Sequence, residues 1–439
     1  MKVTFMGAGS TVFAKNVLGD TMLCEHFHDV EIALYDIDSD RLEESYILID
    51  AMNKSINEGR ATVRKYLGVE NRKEALRAAD FVVNAIQVGL YEPCTVIDFE
   101  IPKKYGLRQT IGDTLGIGGI MRGLRTIKVM RDFAADMEEV CPDAFFLNYT
   151  NPMAILTGYM LRYTKVKTVG LCHSVQVCSE RILRDLGMEE EMEGRFETIA
   201  GINHMAWLLD IRAKDGRDLY PEIRRRAKEK NATEKHTDMV RYDYIDKLGY
   251  YCTESSEHNA EYNAFYIKPN RDDLIEKFNI PLDEYPRRCV NQIAGWAKQK
   301  EEILSGGKVE HTRSREYASH IMEAICTNTP YKIGGNVLNN GVISNLPSDA
   351  CVEVPCLVDR TGIHPTYVGA LPLQLAAMNA SNVYAQMLTI EAAATGDRTK
   401  VYRAAMMDPH TGASLSTDEI VSMCDELLDA HEKAGYPCL

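Results

Sequence analysis

The chain contains no Cys-x-x-Cys, although it carries 12 cysteines among its 439 residues. Thiols scattered in this way through a chain of this size read as reduced, and the compartment they suggest is the cytoplasm. Positive charge is also in deficit: 50 Lys and Arg stand against 64 Asp and Glu, a net charge of −14. Such a chain has no basic field with which to gather phosphate backbones or anionic lipid, so neither nucleic acid nor a membrane is an expected partner. No apolar run approaches the ~18 residues that a membrane span requires. The opening residues, Met1 to Met6, enter a strand-like run at once and leave no room for a signal peptide. Repeats, low-complexity tracts and long linkers are missing too. What remains is an average globular composition, 45% hydrophobic and 26% charged, which excludes disordered, collagenous and coiled-coil chains. A length of 439 residues exceeds one comfortable core and points to two packed domains.

The first part of the chain alternates short β-branched runs with helical periodicity. Residues 2–6, 31–35, 81–86, 144–147 and 167–171 are brief apolar runs, as strands covered on both faces require. Helices are expected over 11–23, 40–57, 120–140 and 152–163. In the third of these, Ile127, Met130, Phe133, Ala134 and Met137 mark one buried stripe. This is the pattern of an α/β, Rossmann-like, doubly wound parallel sheet, expected over residues 1–195. After that the texture changes. Strands at 196–202 and 205–211 flank a tight Asn203-His204 turn, a Tyr- and Glu-rich loop spans 249–266, and helices are expected at 220–230, 287–304, 314–325, 371–394 and 417–434, with strands at 331–337 and 351–357. Residues 196–439 therefore read as a second, α+β domain that binds substrate and carries subunit contacts.

The first strand runs into Gly7-Ala8-Gly9-Ser10-Thr11-Val12 and then a helix. Gly7 permits the tight turn, and Gly9 lets backbone N–H groups near Ser10 and Thr11 approach a pyrophosphate at the helix N-terminus. Val12 stands where the third glycine of the fingerprint would be. The second strand ends at Asp36, placed to accept both ribose hydroxyls of an adenosine and to repel a 2′-phosphate, which favours NAD over NADP. Asn84 to Gly89, with Gln87 among them, closes another strand and would line the same crevice.

Three later loops should face the nicotinamide. They are the glycine-rich 110–119 with Asp113, the 148–152 turn with Asn151 capping the next helix, and Leu171-Cys172-His173-Ser174. A thiol at a helix start feels the positive end of the dipole, which favours thiolate. Cys172 and His204 on facing loops are able to hold a divalent ion with positions left for substrate oxygens. By spacing alone they read more readily as a small buried hydrophobe and a turn residue, and His173 as a surface or satisfied histidine.

Taken together, Gly7-Ala8-Gly9-Ser10, Leu34-Tyr35-Asp36, Gly112-Asp113-Thr114 with Gly116, Gly118 and Gly119, Asn148-Tyr149-Thr150-Asn151-Pro152, Cys172-His173-Ser174-Val175 and Gly201-Ile202-Asn203-His204 resemble glycoside hydrolase family 4, the NAD- and manganese-dependent glycosidases. Residues 253–258, 281–289 and 404–411 extend the likeness over the whole chain, and Cys-His-Ser-Val is similar to the form carried by its α-galactosidases. The resemblance implies hydrolysis of terminal α-galactosides by an exception to the two-carboxylate rule. Hydride passes from C3 of the sugar to NAD⁺, the C2 proton becomes acidic and is removed, the aglycone leaves from C1, water adds, and the steps reverse.

The implied cofactors are NAD and Mn²⁺, the latter held by Cys172 and His204. His173 takes the place of the general acid, Asn151 binds a sugar hydroxyl, and Asp113 raises the basicity of a catalytic tyrosine. Tyr250 and Tyr251 stand in the stretch where that tyrosine is expected, with Glu254 and Glu257 as alternative bases. Arg287 and Arg288 are expected to pair with Asp283 and Glu284 rather than to hold a phosphate, so the substrate should be a neutral sugar. Family habit implies a homodimer or homotetramer. An α-galacturonidase is the near alternative, and a lactate/malate-type NAD-dependent dehydrogenase the one from another class.

Overall fold

The computed structural model of the protein describes residues 1–304 and 309–439. Its framework begins with β1 (Lys2–Met6), β2 (Glu31–Asp36), β3 (Thr62–Leu67), β4 (Phe81–Asn84), β5 (Phe145–Asn148) and β6 (Lys167–Gly170), all parallel, in the order β3-β2-β1-β4-β5-β6. The order reverses between β1 and β4, the switch point at which open α/β sheets bind ligands beyond the strand carboxyl ends. The central strands form because Val3, Phe5, Ile32, Leu34, Val82, Val83, Phe146 and Leu147 are all fully buried, with helices on both faces. β3 has no such run. Its Thr62, Arg64, Lys65 and Leu67 are exposed, and as an edge strand it carries charge that discourages pairing with another chain.

The second half extends the same sheet with antiparallel strands: β7 (Phe196–Ile202), β8 (Met205–Arg212), β9 (Tyr251–Cys252), β10 (Tyr331–Leu338), β11 (Cys351–Asp359) and β12 (Gly362–Pro365). The junctions are narrow. Asn336 of β10 registers with Gly170 of β6, and Glu353 of β11 with Gly201 of β7. The fold class expected from the sequence is the one observed, an α/β molecule built on a Rossmann-like sheet. Helices of the C-terminal part pack back on the first half. Leu373–Thr395 contributes Ile390 to the cluster that holds Ile155 and Leu156, and Thr417–Lys433 inserts Leu427 and Leu428 beside Ile117 and Leu124. The last helix is also fixed by charge: buried Asp98 accepts from Arg125 (2.7 Å) and from His431 (2.8 Å).

Several expected boundaries move. The 120–140 helix starts earlier, at Gly116, because its glycine-rich first turn folds onto the preceding loop, where a Cβ on Gly118 would lie 2.1 Å from the Gly112 carbonyl. The loop expected over 249–266 contains β9 and the helix Ser256–Glu261. The helix expected from 314 begins at Ala318, and residues 309–317 before it form neither helix nor strand. No helix of the described residues is long and apolar enough to cross a membrane.

Candidate metal and dinucleotide site

At the end of β1, Gly7 adopts φ +86°, and a Cβ there would come within 2.9 Å of the Ala85 and Ile86 backbone, so the turn admits only glycine. The Asp36 carboxylate accepts from the N–H groups of Gly9 (2.6 Å), Ile37 (2.8 Å) and Asp38 (3.0 Å), which holds it at the mouth of the turn. Ser10 is exposed at the start of Thr11–Met22 and makes no side-chain cap. The buried Thr11 hydroxyl bonds Ser45 (2.9 Å), which leaves the Thr11 backbone to face a phosphate. The N-terminus of this helix lies open, with Val12 49% exposed, as a cradle for a pyrophosphate must be.

The loops after β4 and β5 are locked together below the site. Asn84 donates to Asn148 (2.9 Å) and Thr150 (3.2 Å), and Asn148 to Thr157 (3.1 Å). Above this buried network lie the half-buried Gln87 and Asn151, the latter accepting from the Met153 N–H (3.2 Å).

Cys172 follows β6, His204 sits in the β7–β8 turn, and Glu254 follows β9; one donor atom from each lies within 4.8 Å of the others. The hairpin and β9 deliver the last two as a unit: Trp207 registers with Cys252, and the Thr253 N–H bonds the Ala206 carbonyl (2.8 Å). His204 and Glu254 both adopt φ +63°, a region that residues with side chains seldom occupy outside functional turns. The His204 Nε2 lies 3.9 Å from Glu254, and its buried Nδ1 has no hydrogen-bond partner among the described residues.

The electrostatics ask for a cation. Burial, with Glu353 and Glu254 adding to it, pushes the Cys172 thiol up to about 12. Its position at a helix start therefore does not make it a thiolate unaided, contrary to the dipole argument. Burial also acts to raise Glu254, but the charges of His258 and His204 outweigh it and hold its carboxyl at about 2. Burial lowers His258 to about 4, and its Nδ1 bonds the Ser255 hydroxyl (2.8 Å). Behind them Glu353, almost wholly buried, is raised by burial despite donors on Asn336 (2.9 Å) and Asn203 (3.2 Å), and one of its oxygens has no hydrogen-bond partner among the described residues. Thiol, imidazole and carboxylate converging beside a second buried carboxyl form a donor set that a divalent ion fits.

His173 lies next to this cluster, its side chain 46% exposed and its Nε2 2.6 Å from buried Glu316, whose bond raises the imidazole against burial. Asp113 is tied to Arg122 (3.1 Å) and Thr114 (2.9 Å). Two expectations need correction. Tyr251 is buried in a different cluster and donates to Asp238 (2.6 Å), beside Arg241; Tyr250 packs edge-on against Tyr220 at 5.8 Å. Tyr262 lies among the site groups: it is buried, raised by burial and then by the charges of Asp113, Glu254, Cys252 and Cys172, with its hydroxyl on the Asn203 carbonyl (3.2 Å). It follows the Thr253–His258 motif by one short helix, Ser256–Glu261, which is the signal that would have found it.

Of the alternative bases, Glu254 stands among the metal donors and Glu257 is bridged by Arg288 (3.4 Å). Arg287 and Arg288 bind Glu284 as expected, Arg108 bonds Asp272, and Asp283 pairs instead with Lys103 (3.0 Å).

A family model described as "Family 4 glycosyl hydrolase" matches residues 2–189, and its companion, "Family 4 glycosyl hydrolase C-terminal domain", matches residues 199–411. The chain is 60% identical over 430 residues to an α-galactosidase of Bacillus subtilis, covering 98% of each. It is 35% identical to an α-galactosidase of Rhizobium meliloti, over 98% of this chain and 88% of that one. Among solved structures, a 6-phospho-α-glucosidase from gut microorganisms, in complex with NAD and Mn²⁺, superposes with a TM-score of 0.80 at 22% identity, covering 99% of both chains.

Proposed function

We propose, on the premise that the chain belongs to family 4 of the glycosyl hydrolases, that this glycosidase cleaves terminal α-galactosides with the help of NAD⁺ and a divalent cation, Mn²⁺ by preference. The observation that carries the reading is the convergence of Cys172, His204 and Glu254 within 4.8 Å. The 60% identity to an α-galactosidase supports the choice of sugar. When bound, nicotinamide supplies a reversible hydride acceptor and the cation a Lewis acid.

The chain's own residues do the rest. Gly7, Gly9 and the open helix start receive the pyrophosphate, and Asp36 receives the ribose. Cys172, His204 and Glu254 hold the cation. Asn151 orients a ring hydroxyl, and His173 donates a proton to the leaving oxygen from its exposed side. Tyr262 takes the C2 proton; the charge of Asp113 raises its proton affinity and so strengthens it as a base once ionised. Glu254, Glu257, Tyr250 and Tyr251 are left to other tasks. Because Arg108, Arg287 and Arg288 each face a carboxylate, no free arginine among them waits for a sugar phosphate, which favours a neutral substrate. Twelve free thiols, eleven of them at least partly buried, suit a reducing cytoplasm.

The test is turnover of 4-nitrophenyl α-galactoside with NAD⁺, Mn²⁺ and a thiol reductant, beside the galacturonide. Faster cleavage of the galactoside is expected, with activity lost to a chelator and to removal of NAD⁺. In D₂O the released galactose should carry deuterium at C2. Activity that survives both removals, or unlabelled C2, overturns the scheme, and net accumulation of NADH would favour a dehydrogenase.

A further inference from the structure

We propose that Glu316 is the positioning residue of His173, fixing the imidazole with Nε2 turned into the protein and Nδ1 presented to the leaving oxygen. The inference rests on His173 acting as proton donor in the reading above. Its basis is that two consecutive residues meet two consecutive residues across 143 positions of sequence. Glu316 bonds His173 Nε2 at 2.6 Å, while the Tyr317 hydroxyl accepts from the Cys172 N–H (3.0 Å) and donates to the Cys172 carbonyl (2.8 Å). The Cys172 backbone and the His173 imidazole are thus held from one side by a single brace.

The brace is itself anchored. Fully buried Asp20 accepts from the Ser314 N–H (2.9 Å) and hydroxyl (2.5 Å) and faces His311 Nε2 at 2.8 Å, and the Ser314 hydroxyl in turn accepts from the Glu316 N–H (3.1 Å). These bonds hold the segment outside the helix up to Tyr317, after which Ala318–Thr327 starts. The Glu316 side chain is only 6% exposed, and its second oxygen has no hydrogen-bond partner among the described residues. A carboxylate buried in this state is costly unless its bond to the imidazole returns the energy. The His173 ring is flanked by Tyr149, centroids 6.2 Å apart, and its Nδ1 has no hydrogen-bond partner among the described residues. One nitrogen is committed inward, and the other is left for substrate. Carboxylate-bound histidines are oriented in this way wherever tautomer and ring direction matter.

The experiment compares wild type, Glu316→Gln, Glu316→Asp and His173→Ala as holoenzymes on two substrates. Melibiose, whose sugar leaving group needs a proton, should lose ~10²-fold in kcat in Glu316→Gln, the usual scale of general acid catalysis. 2,4-Dinitrophenyl α-galactoside, whose leaving group needs none, should lose no more than ~3-fold, and KM should hold for both. Glu316→Asp should recover part of the melibiose rate, and Glu316→Gln added to His173→Ala should cost nothing further. Equal losses on both substrates, or none on either, overturn the proposal. A second arm needs no turnover: with ¹⁵N-histidine, a low-field imidazole N–H resonance should vanish in both His173→Ala and Glu316→Gln. Its persistence in Glu316→Gln also overturns the proposal. If wild type cleaves neither galactoside, the substrate reading fails, and the resonance alone decides the role of Glu316.

Discussion

Loading a divalent cation between Cys172, His204 and Glu254 must expel a proton, and the affinity must therefore rise with pH. The count follows from the two perturbed donors. Cys172, pushed up to about 12, keeps its proton throughout the neutral range, whereas Glu254, held at about 2, has none to give. A thiol binds a cation only as thiolate, so each cation bound between pH 7 and 9 releases at least one proton. One released proton makes the association constant climb ~10-fold per pH unit, ~1.4 kcal/mol, or ~100-fold across that window. Glu353, raised by burial, adds to the count if it too ionises beside the bound charge. Titration calorimetry with Mn²⁺ in buffers of different ionisation enthalpy reads the number directly. Cys172→Ser should lose that proton and its share of the pH slope, weaken Mn²⁺ binding at least ~10-fold, and leave NAD⁺ binding unchanged. Zero protons released, or an affinity flat with pH, would refute the ligand set; an unaltered Mn²⁺ titration in Cys172→Ser would remove that residue from it.

Other expectations follow from the same geometry. Tyr262→Phe should lower kcat on the galactoside by ~10²-fold or more, while Tyr251→Phe, which removes only the bond to Asp238, should cost ~1 kcal/mol in urea unfolding and leave kcat unchanged. The reverse pattern would return the base to the originally expected position. Gly7→Ala should weaken NAD⁺ binding more than ~10-fold, because the added methyl meets backbone 2.9 Å away at φ +86°; equal NAD⁺ affinity by fluorescence titration would contradict the turn geometry. Burial acts to raise Asp238, but Arg241, Tyr251 and Ser256 together lower it, so its ionised form stabilises the fold above the ordinary carboxyl pKa, and that contribution fades as pH falls through the depressed value. Asp238→Asn should accordingly lose ~3 kcal/mol at pH 7, the cost of leaving a buried Arg241 unpaired, with the gap to wild type narrowing below about pH 4; an equal gap at pH 7 and pH 3 would argue against the ionised pair.

Some features were legible in the residues and others were not, for identifiable reasons. β1, β2 and β4 announce themselves because a strand covered on both faces is a continuous apolar run, and Gly7 and Asp36 stand at fixed offsets from two of these. β3 escapes notice since a solvent edge carries Arg64 and Lys65 in place of that run. The helical pattern over 314–317 is overridden by Asp20 and by the Cys172 backbone, which capture Ser314 and Tyr317 ahead of the helix start. Tyr250 and Tyr251 lie near the expected stretch in sequence, but β9 turns Tyr251 toward Asp238, and the next helix brings Tyr262 among Asp113, Glu254 and Cys172.

The sequence by itself determined the parallel α/β framework and the dinucleotide turn with its acid, because each depends on local spacing or on a motif contained in one loop; the pairing of Cys172 with His204, on two loops, came from the family resemblance and not from spacing. Only the tertiary structure decided which carboxylate joins that pair, which tyrosine faces it, and that Glu316 holds His173. Those contacts join residues far apart in the chain, and burial, not spacing, sets the charge each of them carries.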